Sequence, residues 1–178
     1  RERLRKTPGA ALGTWRHKLD DGQFQKMVDH MRQRNIRHLF YIGGNGSMYA
    51  ANRLRQAALE LRYELTVIGV PKTIDNDLLH THHTPGYGSA AKFVATCALD
   101  CGMDIRSLWD NRKITVLETM GRHTGWLAAA AGLARSGGAA VPQHIYIPET
   151  PFELESFLQD AVSAYEADGY ALLVVSEG

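Results

Sequence analysis

The stretch His38-Leu39-Phe40-Tyr41-Ile42-Gly43-Gly44-Asn45-Gly46-Ser47 shows how this chain is organised. Its first five residues are a short β-prone run, which the glycines end. Apolar residues then recur at spacings of three and four, as on one face of a helix, at Met48, Ala51, Leu54, Ala58 and Leu61. Ser47 is placed to cap that helix with its hydroxyl. A strand, a glycine turn and a helix in succession are typical of an α/β fold.

The same alternation continues on both sides of this stretch. Further strands are predicted at 65–70, 114–119, 144–147 and 171–175. Helices are predicted at 23–34, 89–103, 124–135 and 151–167. Strands and helices that alternate over short turns predict an α/β fold with Rossmann-like, mainly parallel sheets and flanking helices.

Composition excludes several classes of protein. The chain has 178 residues, of which 44% are hydrophobic and 22% charged, as in globular domains. Its longest apolar run, Trp126 to Ala134, is too short to span a bilayer. The net charge of +1 gives no electrostatic reason to expect binding to nucleic acid or membranes. Two cysteines argue against a disulfide scaffold, so we expect a cytoplasmic protein.

Polar or glycine-rich segments follow four of the predicted strands. They lie at 43–47, 72–77, 120–125 and 176–178. Ligands of open parallel sheets bind outside the carboxyl ends of the strands. We therefore expect these four segments to meet at one edge of the sheet and to form a site.

The glycine segment 43–47 has two interpretations. Its glycines let the backbone approach a ligand, and the helix that follows offers free amides to a phosphate. The segment matches neither the Walker loop nor the dinucleotide fingerprint. A tight turn between a strand and a helix explains the same glycines equally well.

The segment Lys72-Thr73-Ile74-Asp75-Asn76-Asp77 carries more chemistry. A carboxylate here could take a proton from an attacking hydroxyl, or could hold Mg2+ through its oxygens. Lys72 could neutralise charge on a transferring phosphoryl group. The alternative is a turn in which Asp and Asn side chains bond only the backbone. So many reactive side chains directly after a strand favour a functional site.

The last two segments supply Arg122 and Glu177. A guanidinium beside glycines suits a bidentate hold on phosphate or sugar oxygens, and a carboxylate can accept hydrogen bonds from sugar hydroxyls. A surface arginine and a solvated strand end are the simpler alternatives.

At these segments the sequence resembles the phosphofructokinase family. Residues 43–47 are similar to its Gly-Gly-Asp-Gly-Ser loop, and 71–77 read Pro-Lys-Thr-Ile-Asp-Asn-Asp, its most distinctive string. Met120-Gly121-Arg122 resembles its sugar-phosphate loop, and Glu177 its last substrate carboxylate. Leu12-Gly13-Thr14-Trp15-Arg16 resembles a further family segment, so the matches keep their order along nearly the whole chain.

The resemblance implies transfer of a phosphoryl group to O1 of fructose 6-phosphate, giving the 1,6-bisphosphate of glycolysis. Asp75 would be the general base, and Thr73 and Lys72 would act on the transferring phosphoryl group. Asp77 would help to position the metal, Mg2+, and the phosphates.

The resemblance also implies two lobes that are both incomplete. Residues 1–88 would bind the phosphoryl donor, and residues 89–178 would bind fructose 6-phosphate. The sugar-phosphate contacts implied are Met120, Gly121, Arg122 and Glu177. The donor contacts implied are Arg16, Gly44, Asn45, Gly46 and Ser47. Lys113 stands where many members have an arginine that reaches the sugar phosphate of a neighbouring subunit, and lysine keeps the charge without the bidentate fork.

Two departures from the family pattern concern the metal and the donor. Asn45 replaces the family's metal-binding aspartate, and an amide oxygen can bind Mg2+ but brings no charge. Gly46 leaves room for the α-phosphate of ATP, whereas Lys72 is typical of pyrophosphate users. We expect ATP as donor, with pyrophosphate as the alternative and a catalytically silent sugar-phosphate-binding relative as a further one.

Family members are allosteric homo-oligomers, so the resemblance implies a homodimer or homotetramer. The resemblance further implies an internal fragment, truncated at both ends, without the glycine-rich donor loop expected before Arg1 and the sugar-phosphate elements expected after Gly178. We therefore expect residues 1–178 alone to be inactive.

Overall fold

A computed structural model describes residues 2–6, 17–108, 113–137 and 140–178 of the chain. These residues form two compact units, Arg1–Val70 and Pro71–Gly178. Each unit combines helices with a sheet, and the three-stranded sheet of the second unit is parallel. The predicted mixed α/β fold with parallel strands is confirmed. The assignment of residues 1–88 to the donor and 89–178 to the sugar phosphate stays a prediction.

The first unit is built on a two-stranded sheet. Its elements are α1 (Glu2–Lys6), α2 (Asp21–Gln33), β1 (His38–Gly43), α3 (Asn45–Glu60) and β2 (Thr66–Pro71), the last residue of which already counts with the second unit. A capping box begins α2, since Asp20 Oδ1 accepts from Gln23 N at 2.8 Å and Gln23 Oε1 from Asp20 N at 3.0 Å.

The core of this unit lies between its two longer helices and one face of the sheet. Its buried members are Phe24, Val28, Leu54, Ala57, Ala58 and Tyr63. Leu39 of β1 packs against them, whereas its neighbour Phe40 is exposed, as the alternation of a strand requires. The core therefore packs against β1 near its start, through Leu39.

The second unit is built on a three-stranded parallel sheet. Its elements are α4 (Tyr87–Ser107), β3 (Ile114–Thr119), α5 (Trp126–Ala130), a 3-10 helix (Ala131–Gly137), β4 (His144–Tyr146), α6 (Leu154–Asp168) and β5 (Ala171–Ser176). The strand order is β3-β5-β4. β5 is central, and its residues from Ala171 to Val174 are fully buried. Small side chains of α4 and α5 pack on one face of β5, and those of α6 pack on the other.

The register of β3 and β5 positions the site. Ile114 lies opposite Ala171, and Thr119 opposite Ser176. Parallel strands in this register end side by side. The segments that follow them, 120–125 and 176–178, therefore start next to each other, as the sequence predicted.

Four details differ from the sequence-based predictions. The four segments do not all follow strands of one sheet, because the strands form two sheets within the described residues. Ser47 does not cap α3: the amides of Ser47 and Met48 already bond Gly44 O at 2.9 and 3.0 Å, so Ser47 lies within the first turn. The helix predicted at 124–135 divides into α5 and the 3-10 helix, in a run of alanines that ends at a glycine. α6 begins at Leu154, not at 151.

None of the helices in the part of the chain that the structure describes has both the length and the hydrophobicity of a membrane span.

Candidate active site

The segment after β2 turns sharply between its two acidic residues. Asn76 has a left-handed backbone, with φ at 60°, and is 7% exposed. Its Oδ1 accepts a hydrogen bond from Thr84 N at 2.9 Å. On the other side of Asp75, Thr73 Oγ1 accepts from Asp75 N at 3.1 Å. Side chains thus fix the backbone on both sides of Asp75.

The two carboxylates of this segment keep free acceptors. Asp75 Oδ1 and Asp77 Oδ1 are buried, and neither has a hydrogen-bond partner among the described residues. A buried carboxylate oxygen without a partner is costly, and such cost is typical of groups that bind a ligand. This pair of oxygens is the clearest sign of a site in the chain.

The Asp75 carboxyl is also a stronger base than an ordinary aspartate. Partial burial raises its pKa, and the nearby carboxylates of Asp77 and Glu177 raise that pKa further. Lys72 and Arg122 oppose the shift. All four charges therefore lie close enough to Asp75 to act on it. A base with a raised pKa is better matched to taking a proton near neutral pH.

The segment after β3 contacts both Asp75 and β5. Gly121 has φ at 127°, and a Cβ there would lie 2.3 Å from Thr124 O, so this turn requires glycine. Gly121 N donates to Glu177 Oε1 at 3.4 Å, and Gly121 O accepts from the Ser176 hydroxyl. Thr124 Oγ1 donates to Asp75 O at 2.9 Å. The structure thus brings together Asp75, Gly121 and Glu177, which the sequence predicted as one site.

The cations of the site are exposed. Lys72 and Arg122 are both on the surface, as is Met120, whereas Thr73 is half-buried. Flexible exposed cations beside partly buried carboxylates suit an anionic substrate that carries a hydroxyl, because the cations can close on the anion while the carboxylate meets the hydroxyl.

Four residues of this network were not predicted as functional. Asn76, Thr84 and Thr124 hold the backbone near Asp75, and Glu149 accepts from Gly125 N with Oε1 at 2.8 Å and Oε2 at 3.1 Å. Asn76 and Thr124 stand inside segments that the sequence had already marked. No local signal points to Thr84 or Glu149, because their roles depend on contacts with distant positions.

The glycine segment belongs to the first unit. Gly43 is buried, and a Cβ there would lie 2.2 Å from Ser47 Oγ. Gly44 precedes α3 without any side-chain cap, so no side chain competes with a phosphate for the amides at the start of this helix. Asn45 and Gly46 are exposed, and a Cβ on Gly46 would meet nothing within 4 Å. Donor binding by Gly44, Asn45, Gly46 and Ser47 stays a prediction.

Two predicted residues lie apart from this group. Lys113 precedes β3, and six residues at about 3.3 Å each put it about 20 Å from the end that carries Gly121. Its predicted contact with a neighbouring subunit's ligand stays a prediction. Arg16 lies outside the described residues, as does the whole segment 12–16.

The acidic pair fits Mg2+ through Asp77. The unpartnered Oδ1 of Asp77 is the kind of hard ligand that this ion prefers, and Asp75 Oδ1 stays free to act as a base. No cluster of three or more His, Cys, Asp or Glu side chains able to hold a metal occurs in the described residues. Such a cluster is not required, because Mg2+ usually takes one or two carboxylates together with substrate phosphates. Asn45 is exposed, and its role as a ligand stays a prediction.

Unpaired carboxylate oxygens and exposed cations beside the ends of strands define an α/β protein with a site suited to an anionic ligand. The phosphofructokinase family model matches residues 2–178. The chain belongs to the phosphofructokinase family.

Curated relatives differ in the donor and acceptor that their names state. The chain is 43% identical to the sulfofructose kinase of Alkalicoccus urumqiensis, over 99% of this chain and 46% of that protein. It is 41% identical to the pyrophosphate–fructose 6-phosphate 1-phosphotransferase of Xanthomonas campestris, over 98% and 43%. It is 43% identical to the ATP-dependent 6-phosphofructokinase of Chloroflexus aggregans, over 87% and 40%. The chain thus spans less than half the length of these relatives.

A solved structure shows the same fold. The pyrophosphate-dependent phosphofructokinase of Marinobacter aquaeolei superposes with a TM-score of 0.78 at 41% identity, covering 97% of this chain and 43% of that one. The predicted phosphofructokinase fold is thereby confirmed.

Proposed function

We propose that this protein transfers a phosphoryl group to O1 of fructose 6-phosphate, with Asp75 as the general base. The observation that carries the proposal is the Asp75 carboxyl itself. Its Oδ1 is buried without a partner, its pKa is raised, and two exposed cations lie near it. Family membership supplies the reaction class.

In the proposed reaction, Asp75 takes the proton of the O1 hydroxyl while O1 bonds to the terminal phosphorus of the donor. The bond from that phosphorus to the bridging oxygen breaks, and the leaving group is ADP or phosphate. Asp77 would hold Mg2+ together with the donor, and the bound ion would supply positive charge against the phosphates. Lys72 and Thr73 would bind the phosphoryl group in transit, at the start of the segment that carries the base.

The sugar phosphate would lie against the ends of β3 and β5. Arg122 would bind its oxygens, and the Gly121 backbone and Glu177 would meet its hydroxyl groups, with Met120 beside them. The contact of Gly121 N with Glu177 Oε1 keeps these two groups together.

ATP is the donor that we favour, and pyrophosphate is the second candidate. The open space at Gly46 supports ATP, because a Cβ there would meet none of the described residues within 4 Å and a longer donor needs such room. Lys72 and the names of several relatives support pyrophosphate. The 43% identity to a sulfofructose kinase makes a sulfonated sugar a second acceptor to test.

The decisive experiment is a coupled assay of the protein in its full length. Fructose 6-phosphate and 6-deoxy-6-sulfofructose are each offered with ATP and with pyrophosphate, in the presence of Mg2+. We expect turnover of fructose 6-phosphate with ATP. Turnover with pyrophosphate alone would overturn the choice of donor, and turnover of the sulfonate alone would overturn the acceptor.

Calorimetry of fructose 6-phosphate binding, together with the turnover assay, distinguishes a catalytically silent relative from an enzyme. Binding of fructose 6-phosphate without turnover by any donor would support a regulatory or partner subunit. The proposed homo-oligomer is tested by sedimentation, and the proposed cytoplasmic location by fractionation.

A further inference from the structure

Two buried polar residues hold the segment that carries Asp75. Thr84 is fully buried and Asn76 is 7% exposed, although both have polar side chains. Buried polar groups need partners, and these two residues find them in each other and in the backbone around Asp75. Neither residue is among those predicted to contact substrate, donor or metal.

The contacts of Thr84 reach both sides of Asp75. Its hydroxyl donates to Thr73 O at 2.7 Å and lies 3.2 Å from Asn76 Oδ1. Its backbone N donates to the same Oδ1 at 2.9 Å. One residue therefore fixes the chain two positions before the base and one position after it.

Asn76 contributes a second constraint through its backbone. Its left-handed conformation is tolerated by asparagine better than by most residues. Its Nδ2 donates to His82 O at 3.3 Å, so both ends of the amide are used inside the loop. Because Asp75 Oδ1 receives no hydrogen bond from the described residues, its placement depends on this backbone.

We propose that Asn76 and Thr84 are positioning residues, a clamp that holds the Asp75 carboxylate at the distance and angle needed to take the substrate proton. The inference rests on the proposed function of Asp75. The clamp acts on the base and not on the sugar-phosphate contacts, because Gly121 and Glu177 are held separately by Ser176 and Thr119.

The test uses Thr84→Val and Thr84→Ser in the protein in its full length. Valine keeps the shape and the backbone N but removes the hydroxyl, whereas serine keeps the hydroxyl. We expect Thr84→Val to lower kcat roughly 10- to 100-fold, as small misplacements of reacting groups do, with the KM for fructose 6-phosphate changed less than about twofold. Thr84→Ser should restore kcat to within about threefold of the parent.

Asn76→Gly is the second variant, because glycine accepts the left-handed backbone but lacks the amide. We expect a loss of kcat similar to that of Thr84→Val. Thr96→Val is the matched control, since its hydroxyl bonds Lys92 O on the exposed face of α4, and it should leave kcat unchanged.

The outcomes separate the clamp from the function on which it rests. Parental kcat in both Thr84→Val and Asn76→Gly would overturn the clamp while leaving the function intact. A fall in folded fraction on thermal melting that accounts for the whole loss of activity, without rescue by serine, would also overturn it. If the parent protein turns over no donor and acceptor pair, the proposed function fails, and the clamp fails with it.

Discussion

The segments that follow β1 and β2 are built in different ways. The glycine segment 43–47 has an uncapped helix start and open space at Gly46, so its potential contacts come from the backbone. The segment that contains Asp75 is fixed by buried side chains and carries carboxylates with unpaired oxygens. The segment 43–47 can bind a ligand through its backbone only because space is left beside it. The segment that contains Asp75 would act through side chains that the fold holds in fixed positions. The two should therefore respond differently to substitution.

The largest effect should come from Asp75→Asn. Asparagine keeps the shape but cannot take a proton, so kcat should fall roughly 10²- to 10⁴-fold with fructose 6-phosphate binding almost unchanged. Turnover and calorimetric binding measure the two effects. Asp100→Asn, at an exposed position of α4, is the matched control. Near-parental turnover by Asp75→Asn would show that the segment 72–77 does not supply the general base.

Gly46→Asp should act on donor choice instead. A carboxylate near a phosphate is repelled, so kcat/KM for ATP should fall about 100-fold, which corresponds to a like-charge cost of about 2.7 kcal/mol. Folding should be unaffected, because the new side chain meets open space and an acidic residue suits the first turn of a helix. Kinetics with each donor measure the effect, and Gly46→Ala is the uncharged control. An unchanged kcat/KM for ATP would show that the segment 43–47 does not contact the donor.

Two alanine substitutions within the glycine segment should change the free energy of unfolding in opposite directions. At Gly43 a Cβ would crowd the Ser47 side chain, so Gly43→Ala should lower the free energy of unfolding by about 1–3 kcal/mol. At Gly46 the space is free, and alanine favours the helix by up to about 1 kcal/mol. Urea titration of both variants measures the difference. Equal changes in the free energy of unfolding would mean that the close contact between the Gly43 backbone and the Ser47 side chain does not require glycine at this position.

The smallest effect concerns stability and pH. The pKa of Asp75 is raised above its ordinary value of 3.8 in the folded protein, so ionisation of this residue destabilises the fold. The destabilisation is absent below pH 3.8 and is complete above the raised pKa. Asp75→Asn should therefore raise the melting temperature more at pH 7 than at acidic pH, as thermal melts at the two pH values would measure. A gain that does not depend on pH would contradict the raised pKa.

The fold followed from the sequence because its elements are strongly patterned. The strand at 114–119 coincides with β3, and the buried run that begins at Ala171 with β5, since apolar periodicity reports the core directly. Helix starts were less certain. Ser47 is a good cap by type, but the backbone of Gly44 already begins α3, and such geometry leaves no trace in residue type.

The candidate site was predictable where residues are reactive, and not where they only hold others in place. Asp75, Arg122 and Glu177 stand at strand ends, a position that marks them in the sequence. Thr84 is one threonine among many in the sequence, and only the folded loop brings its hydroxyl to Thr73 O. Sequence patterns thus indicate which groups could react, and the three-dimensional contacts indicate what would orient them.

The burial of β5 limits which parts of the candidate site can move. Its residues from Ala171 to Val174 are fully buried between two strands, and Glu177 follows three residues later with its own amide bonded to Thr119 O. Amides in such a central strand exchange with solvent mainly when the whole unit unfolds. The carboxylate that would meet the sugar thus follows a strand whose amides we expect to exchange slowly. We therefore expect substrate entry to depend on movement of exposed side chains such as Arg122 and Lys72.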